Sequence, residues 1–146
     1  MEINSIISKL PYSKPFLFVE AIDSADENGI VGSYTFGKDE YFYEGHFKDN
    51  PITPGVILTE CMAQIGLVCF GIYLLGDELD EGVQVAMSST EIDFLKPVFP
   101  GEKVKVISEK IFFRFNKLKC KVKMFNKQDV LVCNGTISGM LIPKRP

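Results

Sequence analysis

The second half of the chain alternates between apolar and polar positions. Within residues 118–125 a lysine stands at every second position from 119 to 123, and the positions after them hold Cys120, Val122 and Met124. A period of two places neighbouring side chains on opposite faces of a β-strand. Comparable patterns predict strands over 84–94, 103–115 and 130–142, separated by turns at 100–101 and 126–129.

The first half predicts a hairpin and a short leading segment. An apolar run rich in β-forming residues covers 15–22, a turn is predicted at 26–29, and 30–36 alternates well enough for a second strand. Before the hairpin, the amphipathic segment 3–10 ends at Pro11, because proline breaks regular structure.

Residues 55–76 predict one long helix, since they are apolar and free of proline. At 1.5 Å per residue such a helix would run roughly 30 Å, which is enough to span a membrane. Glu60 and Gln64 stand one turn apart on one face, and a carboxylate inside a bilayer is costly. We therefore expect no membrane association and a helix buried in the protein. Together with the strands it predicts an α+β fold in which a curved antiparallel sheet wraps the helix, with residues 1–146 forming a single domain.

Composition and charge narrow the function classes. Hydrophobic residues are 46% and charged residues 24% of the 146, which is globular composition. No basic start followed by an apolar segment is visible, so we expect a cytoplasmic protein.

The net charge of −3 hides an asymmetry: residues 1–93 hold four basic and sixteen acidic residues, whereas residues 96–146 hold twelve basic and three acidic residues. The basic half suits an acidic partner, and no nucleic-acid motif accompanies it, so nucleic acid is not expected.

The cysteines and the single histidine argue against a metal site. Four cysteines show no CxxC spacing, and only His46 could supply an imidazole ligand. We expect no metal, and reduced thiols that are mostly buried.

Acid–base chemistry is the remaining candidate. His46 lies in a loop rich in glycine and aromatic residues, fourteen positions before Glu60. Pro54 and Gly55 stand where the long helix should begin, and free amide groups at a helix start bind developing negative charge. We expect the base, the buried carboxyl and the amide donors to converge near one place, an arrangement that suits proton abstraction next to a carbonyl. A loop histidine is equally compatible with a plain surface position. No GxSxG or glycine-rich phosphate motif is present.

One long motif carries a family resemblance. Residues 45–64 read GHFKDNPITPGVILTECMAQ and closely resemble the signature of the FabZ-type 3-hydroxyacyl-(acyl-carrier-protein) dehydratases. Residues 10–20, LPYSKPFLFVE, and 92–102, IDFLKPVFPGE, resemble segments that flank that signature in the family. The resemblance covers nearly the whole chain, in order.

The resemblance implies a hotdog fold and a reaction. The reaction is dehydration of a (3R)-3-hydroxyacyl thioester to the trans-2-enoyl thioester, in the biosynthesis of fatty acids or of related chains such as aryl polyenes. It assigns catalysis to His46 and Glu60, the histidine of one subunit acting with the glutamate of the other. It places the thioester carbonyl at the start of the helix, near Gly55 and Val56, and gives Gln64 the task of orienting the carboxylate.

The resemblance also implies partners. The substrate would travel on the phosphopantetheine of an acyl carrier protein, which is acidic, and no cofactor would be needed. The protein would form homodimers with shared active sites, and in that family such dimers often assemble further into trimers of dimers. The docking patch for the carrier stays open among the strand lysines 119, 121 and 123, Lys96 and Arg114.

Two alternatives remain open at the level of the sequence. One is a hotdog acyl thioesterase, which would use a carboxylate and a water. The other is an acyl-binding subunit without activity. Tyr12 and Ser13 depart from the usual His-Arg pair of the family, and Lys48 and Asp49 from its usual Pro-Gly, so the acyl group is left undetermined.

Overall fold

The computed structural model describes residues 2–79 and 82–145. Within these residues a single antiparallel sheet has the strand order β1-β2-β4-β5-β6-β3. Its strands are β1 Ala21–Asp26, β2 Gly29–Thr35, β3 Val83–Phe94, β4 Lys103–Arg114, β5 Lys117–Phe125 and β6 Leu131–Pro143. The predicted strands of the second half are confirmed, and β3 lies at one edge of the sheet.

The central helix runs from Gly55 to Leu75 in three parts. It is α-helical over Gly55–Ala63 (α1) and Phe70–Leu75 (α2), and π-helical over Gln64–Cys69 between them. Ser108 on β4 donates a hydrogen bond of 2.8 Å to the carbonyl of Gly66, and a Cβ at Gly66 would stand 3.1 Å from that serine's side chain. The extent of the predicted helix is confirmed, whereas the wider π turn is a tertiary feature that periodicity does not reveal.

The core lies between this helix and the concave face of the sheet. Fully buried side chains from both elements meet there; they include Met62, Ile65, Leu67 and Phe70 of the helix and Val104, Val106, Cys120, Val122 and Met124 of the sheet. The helix is apolar and long enough to cross a membrane, yet 78% of its most apolar 18 residues are buried inside the protein. All four cysteines are buried and free, as expected.

The predicted strand over 15–22 is wrong for most of its length, because β1 begins only at Ala21. The residues before it pack over the helix and bond to Gln64. The Phe18 N–H donates to Gln64 Oε1 at 2.8 Å, and Gln64 Nε2 donates to the Phe16 carbonyl at 3.0 Å. A buried helix side chain satisfies this backbone, so the apolar run needs no strand neighbour.

Candidate active site

The loop before the central helix fixes the orientation of His46. Its Nδ1 lies 2.9 Å from the carbonyl oxygen of Ile52, and its ring stacks on Phe47 with 4.0 Å between centroids. A carbonyl oxygen only accepts, so Nδ1 carries the proton and donates it. The neutral ring therefore keeps its lone pair on Nε2, which is the nitrogen available to act as a base.

Two further contacts hold the loop in place. The Thr53 N–H donates to the carbonyl of Val98 at 2.8 Å, and the hydroxyls of Thr53 and Tyr43 share a buried hydrogen bond. Both threonine and tyrosine are buried, so the backbone that carries the Ile52 carbonyl is anchored to the core.

Glu60 is half-buried on the first part of the helix. Its Oε2 accepts a 3.0 Å hydrogen bond from Gln64 Nε2. Burial raises the pKa of the Glu60 carboxyl, and the bond from Gln64 opposes part of that rise. The carboxyl consequently holds its proton to a higher pH than an exposed glutamate does.

Gln64 itself is fully buried and fully bonded. Its Nε2 donates to the Phe16 carbonyl as well as to Glu60, and its Oε1 accepts from the Phe18 N–H. With both amide hydrogens in use, Gln64 orients Glu60 and has no donor left for a ligand. This position suits the orienting role that the resemblance implies.

The start of the helix supplies amide donors. The first recorded helical bonds run from Ile57 and Leu58 to the Pro54 carbonyl, so the N–H groups of Gly55 and Val56 bond to no described residue. Gly55 lines the cavity that contains His46, whereas the Val56 side chain is 77% exposed. Of the two residues, only Gly55 is among those that line the histidine's cavity.

Within one chain, His46 and Glu60 lie in different cavities. His46 opens on a cavity of about 460 Å³ that is also lined by Phe94, Leu95 and Lys96. Glu60 opens on another of about 380 Å³, lined on one side by residues 84–87 of β3. The structure thus groups His46 with Gly55 and Glu60 with Gln64, but it does not bring the two groups together in one chain.

The cavity of Glu60 also contains residues that sequence reasoning gave no role. Tyr12 and Phe16 line it, although Tyr12 was singled out only as a departure from the family pattern. On the other cavity, the Ile52 carbonyl has no sequence signal at all, because a backbone oxygen is present at every position.

No metal-binding arrangement is apparent. Among residues 2–79 and 82–145, no three or more histidine, cysteine, aspartate or glutamate side chains are grouped to hold an ion.

Solved structures share this architecture. A Streptococcus mutans UA159 protein bound to acetyl CoA superposes with a TM-score of 0.67 at 14% identity, over 94% of this chain and 99% of that one. A hypothetical thioesterase with coenzyme A from Streptococcus pneumoniae TIGR4 gives 0.61 at 14% identity, over 86% and 87%. At such identity the likeness concerns the fold alone, and it confirms the expected hotdog fold.

Curated relatives are closer in sequence. The 3-hydroxyacyl-(acyl-carrier-protein) dehydratase FabZ of Geotalea uraniireducens is 37% identical over 116 residues, which is 78% of this chain and 79% of the relative. The FabZ of Koribacter versatilis is 31% identical over 147 residues, covering 99% and 91%. The bifunctional enzyme LpxC/FabZ of Chlorobaculum tepidum is 31% identical over 149 residues, which cover 99% of this chain and 30% of that protein.

These matches confirm the FabZ-type resemblance of the central motif. Residues 10–137 also match the FabA-like domain. Since this is well over half of the 146 residues, the chain belongs to the FabA-like family.

Proposed function

We propose that the protein dehydrates (3R)-3-hydroxyacyl groups on an acyl carrier protein to trans-2-enoyl groups, in fatty acid or related acyl-chain biosynthesis. The observation that carries the proposal is the state of its two acid–base groups. His46 has a free Nε2, and Glu60 has a raised pKa and a fixed orientation. A base and a protonated acid are the pair that elimination of water requires.

His46 removes the proton from the α-carbon of the substrate. Its Nε2 accepts that proton while Nδ1 stays bonded to the Ile52 carbonyl, which also stabilises the positive ring that results. Negative charge then develops on the thioester oxygen. The Gly55 amide, at the positive end of the helix dipole, is placed to receive it.

Glu60 completes the elimination. As the bond between C3 and its oxygen breaks, the electrons of the former Cα–H bond form the double bond, and the carboxyl donates its proton to the departing oxygen. Water leaves, and the proton taken by His46 returns to the carboxylate through solvent. Because no net oxidation or reduction occurs, we propose that the reaction uses no redox cofactor and no metal.

The acyl chain has an apolar path beside the helix. A third cavity of about 310 Å³ shares Pro11, Val68, Gln84 and Val85 with the cavity of Glu60. An acyl chain entering past Glu60 would run between the N-terminal segment, the helix and β3.

A complete site requires two copies of the chain. β3 pairs with β6 on one side only, and its other edge is free of described strands. Residues 84–87, near the start of β3, line the cavity of Glu60, whereas Phe94, at the end of β3, lines the cavity of His46. In an extended strand these two stretches are about 25 Å apart. Two antiparallel copies of β3 would be related by a two-fold axis near Ser89 and Thr90. The end of β3 at Phe94 in one subunit would then lie beside residues 84–87 of the other, so the cavity of His46 in one subunit would meet the cavity of Glu60 in the other.

Exposed apolar side chains support this edge as the interface. Met87, Phe94 and Leu95 are 43%, 51% and 51% exposed in the single chain. We propose a homodimer with two shared sites, His46 coming from one subunit and Glu60 from the other. We further propose that these dimers assemble into a trimer of dimers, which a measurement of oligomer size in solution tests.

The carrier brings the substrate on its phosphopantetheine arm. Lys96 is exposed and lines the cavity of His46, so its charge lies at the entrance that an acidic carrier would approach. The lysines of β5 lie on the outer face of the sheet, opposite the fully buried Cys120, Val122 and Met124. Among the sequence candidates, this geometry favours Lys96. We further propose a cytoplasmic location, where such carriers supply their substrates.

The test is the mass of the product. The protein is incubated with a (3R)-3-hydroxyacyl acyl carrier protein, and the acylated carrier is analysed by mass spectrometry. Loss of one water from the acyl group supports the proposal. Release of the free carrier thiol would instead show a thioesterase, and an unchanged carrier across short, long and aryl chains would show a non-catalytic binding subunit.

A further inference from the structure

The phenolic hydroxyl of Tyr12 lies in the cavity of Glu60 and makes no hydrogen bond to a described residue. Its ring packs against the core, and the residue lines the same 380 Å³ cavity as Glu60. Two other phenols that pack near the core, Tyr34 and Tyr43, bond to Glu40 and Thr53 respectively. A half-buried hydroxyl left unpaired beside a carboxyl is available to a ligand.

The backbone around Tyr12 is held in place by Gln64. Phe16, four residues later, gives its carbonyl to Gln64 Nε2, and a turn from Ser13 to Phe16 is closed by a 2.8 Å backbone bond. The amide that orients Glu60 thus also fixes the segment that carries Tyr12.

The pKa of the Tyr12 phenol also reflects its surroundings in this cavity. Burial raises the pKa of Tyr12 to about 12, and the charge of Glu60 is the next cause. At neutral pH the Tyr12 hydroxyl therefore remains a hydrogen-bond donor.

Few other side chains in this cavity could donate a hydrogen bond to a substrate hydroxyl. Its lining is otherwise apolar apart from Gln84, which also borders the neighbouring cavity. A substrate 3-hydroxyl that accepts the proton of Glu60 has a second lone pair to satisfy. Leaving that pair unbonded in an apolar cavity would cost free energy.

We infer that Tyr12 is a further catalytic residue: its phenolic hydroxyl donates a hydrogen bond to the 3-hydroxyl oxygen of the substrate and holds the leaving group over Glu60. The inference rests on the proposed dehydration. Tyr12 transfers no proton; Glu60 supplies the proton, and the phenol stabilises the oxygen as it departs as water. A substrate without a 3-hydroxyl gains nothing from Tyr12.

Binding measurements without turnover test this selectivity. In a His46→Ala background, affinities are measured for a 3-hydroxyacyl and for a saturated acyl pantetheine thioester of equal length. Adding Tyr12→Phe should weaken the hydroxyacyl ligand about 2- to 10-fold and leave the saturated ligand unchanged, as expected for one hydrogen bond. Without the His46 change, Tyr12→Phe should lower kcat by a similar factor. The matched control is Tyr73→Phe, a half-buried tyrosine on the same core that lines none of these cavities.

Several outcomes would overturn the assignment. If Tyr12→Phe weakens the affinity for both ligands equally, the ring only shapes the cavity. If neither affinity changes, the hydroxyl makes no hydrogen bond to the substrate. A selective loss with Gln84→Met in place of Tyr12→Phe would move the role to Gln84. If the unmodified protein forms no enoyl product, the proposed function fails, and this is seen before any Tyr12 variant is compared.

Discussion

Gln64 donates a 3.0 Å hydrogen bond from its amide nitrogen to the carboxylate of Glu60, one helical turn earlier. The same buried amide bonds the backbone at Phe16 and Phe18, so it cannot turn away. The bond favours the ionised carboxylate, while burial favours the protonated acid, and burial is the larger cause. Gln64 therefore limits how far the pKa of Glu60 rises.

Replacing Gln64 by methionine should shift the pH profile. The bond to Glu60 is lost, so the pKa of Glu60 rises further. Glu60 acts as an acid, and activity falls as it loses its proton; the alkaline limb of kcat that belongs to Glu60 should consequently move to higher pH. The buried groups left unpaired at Phe16 and Phe18 should each cost about 1–3 kcal/mol of unfolding free energy. Kinetics against pH and thermal melts measure the two effects.

Thr59→Val is the matched control for damage to the helix. Thr59 precedes Glu60 and bonds only the Gly55 carbonyl, at 3.0 Å. This variant should keep the position of the alkaline limb. If both variants shift the limb alike, Gln64 does not act through a specific bond to Glu60.

Much of the architecture could be predicted because local pattern and tertiary demand agree. Every second side chain of β5 from Cys120 to Met124 is fully buried, as the alternation requires. The helix from Gly55 was predictable because an apolar segment without proline, holding a single carboxylate, is typical of a buried helix. The segment of residues 45–64 identified the reaction through its resemblance to the FabZ-type signature, whereas the spacing of His46 and Glu60 alone indicated only acid–base chemistry.

What could not be predicted depends on long-range contacts. The run from Pro15 has strand-like composition, but Gln64, 46 residues after Phe18, satisfies its backbone. The Ile52 carbonyl fixes the tautomer of His46 without any side-chain signal. Spacing also suggested that His46 and Glu60 converge, whereas in one chain they open on separate cavities.

Two inactive variants should restore activity when mixed. We expect His46→Ala and Glu60→Ala each to lower dehydration about 100-fold or more, because each removes an acid–base group. In a mixed dimer one site keeps both His46 and Glu60. Random exchange of equal amounts makes half of the dimers mixed, so about a quarter of the sites, and of the wild-type rate, should return.

Subunit exchange must be measured separately, for example by mass spectrometry of differently labelled chains. The control is a mixture of His46→Ala with the double variant His46→Ala/Glu60→Ala. Neither chain then supplies His46, so no intact site can form. If exchange is complete and the single variants restore nothing, His46 and Glu60 do not act across subunits.

Enlarging Gly55 should impair turnover more than stability. A Cβ there would stand 3.3 Å from two atoms at the end of the Phe94 side chain, which needs to shift by only a few tenths of an ångström. A valine would narrow the cavity between the Gly55 amide and His46, where the thioester is expected. We expect Gly55→Val to lower kcat/KM about 10-fold or more and to change the melting temperature by only a few degrees. Parallel loss of melting temperature and activity would show that the glycine is only structural.

Charge reversal should locate the docking site of the carrier. Lys96 lines the cavity of His46. Lys123 lies on the outer face of β5, where its cross-strand neighbours are Ile107 on β4 and Asn134 on β6. Attraction between a basic patch and an acidic carrier speeds association and is screened by salt. Lys96→Glu should lower kcat/KM for the carrier-bound substrate about 3- to 10-fold at low ionic strength, and Lys123→Glu should leave it near the wild-type value.

The same acyl group on a neutral small thiol separates docking from chemistry. For an N-acetylcysteamine thioester, Lys96→Glu should change kcat/KM little, because no carrier charge is present to be attracted. Raising the ionic strength should also lower the wild-type rate with the carrier and bring it toward that of Lys96→Glu, since screening removes the attraction that the variant lacks. Equal losses with both substrates would place Lys96 in the chemistry and not in docking. A loss with Lys123→Glu alone would move the carrier to the outer face of the sheet.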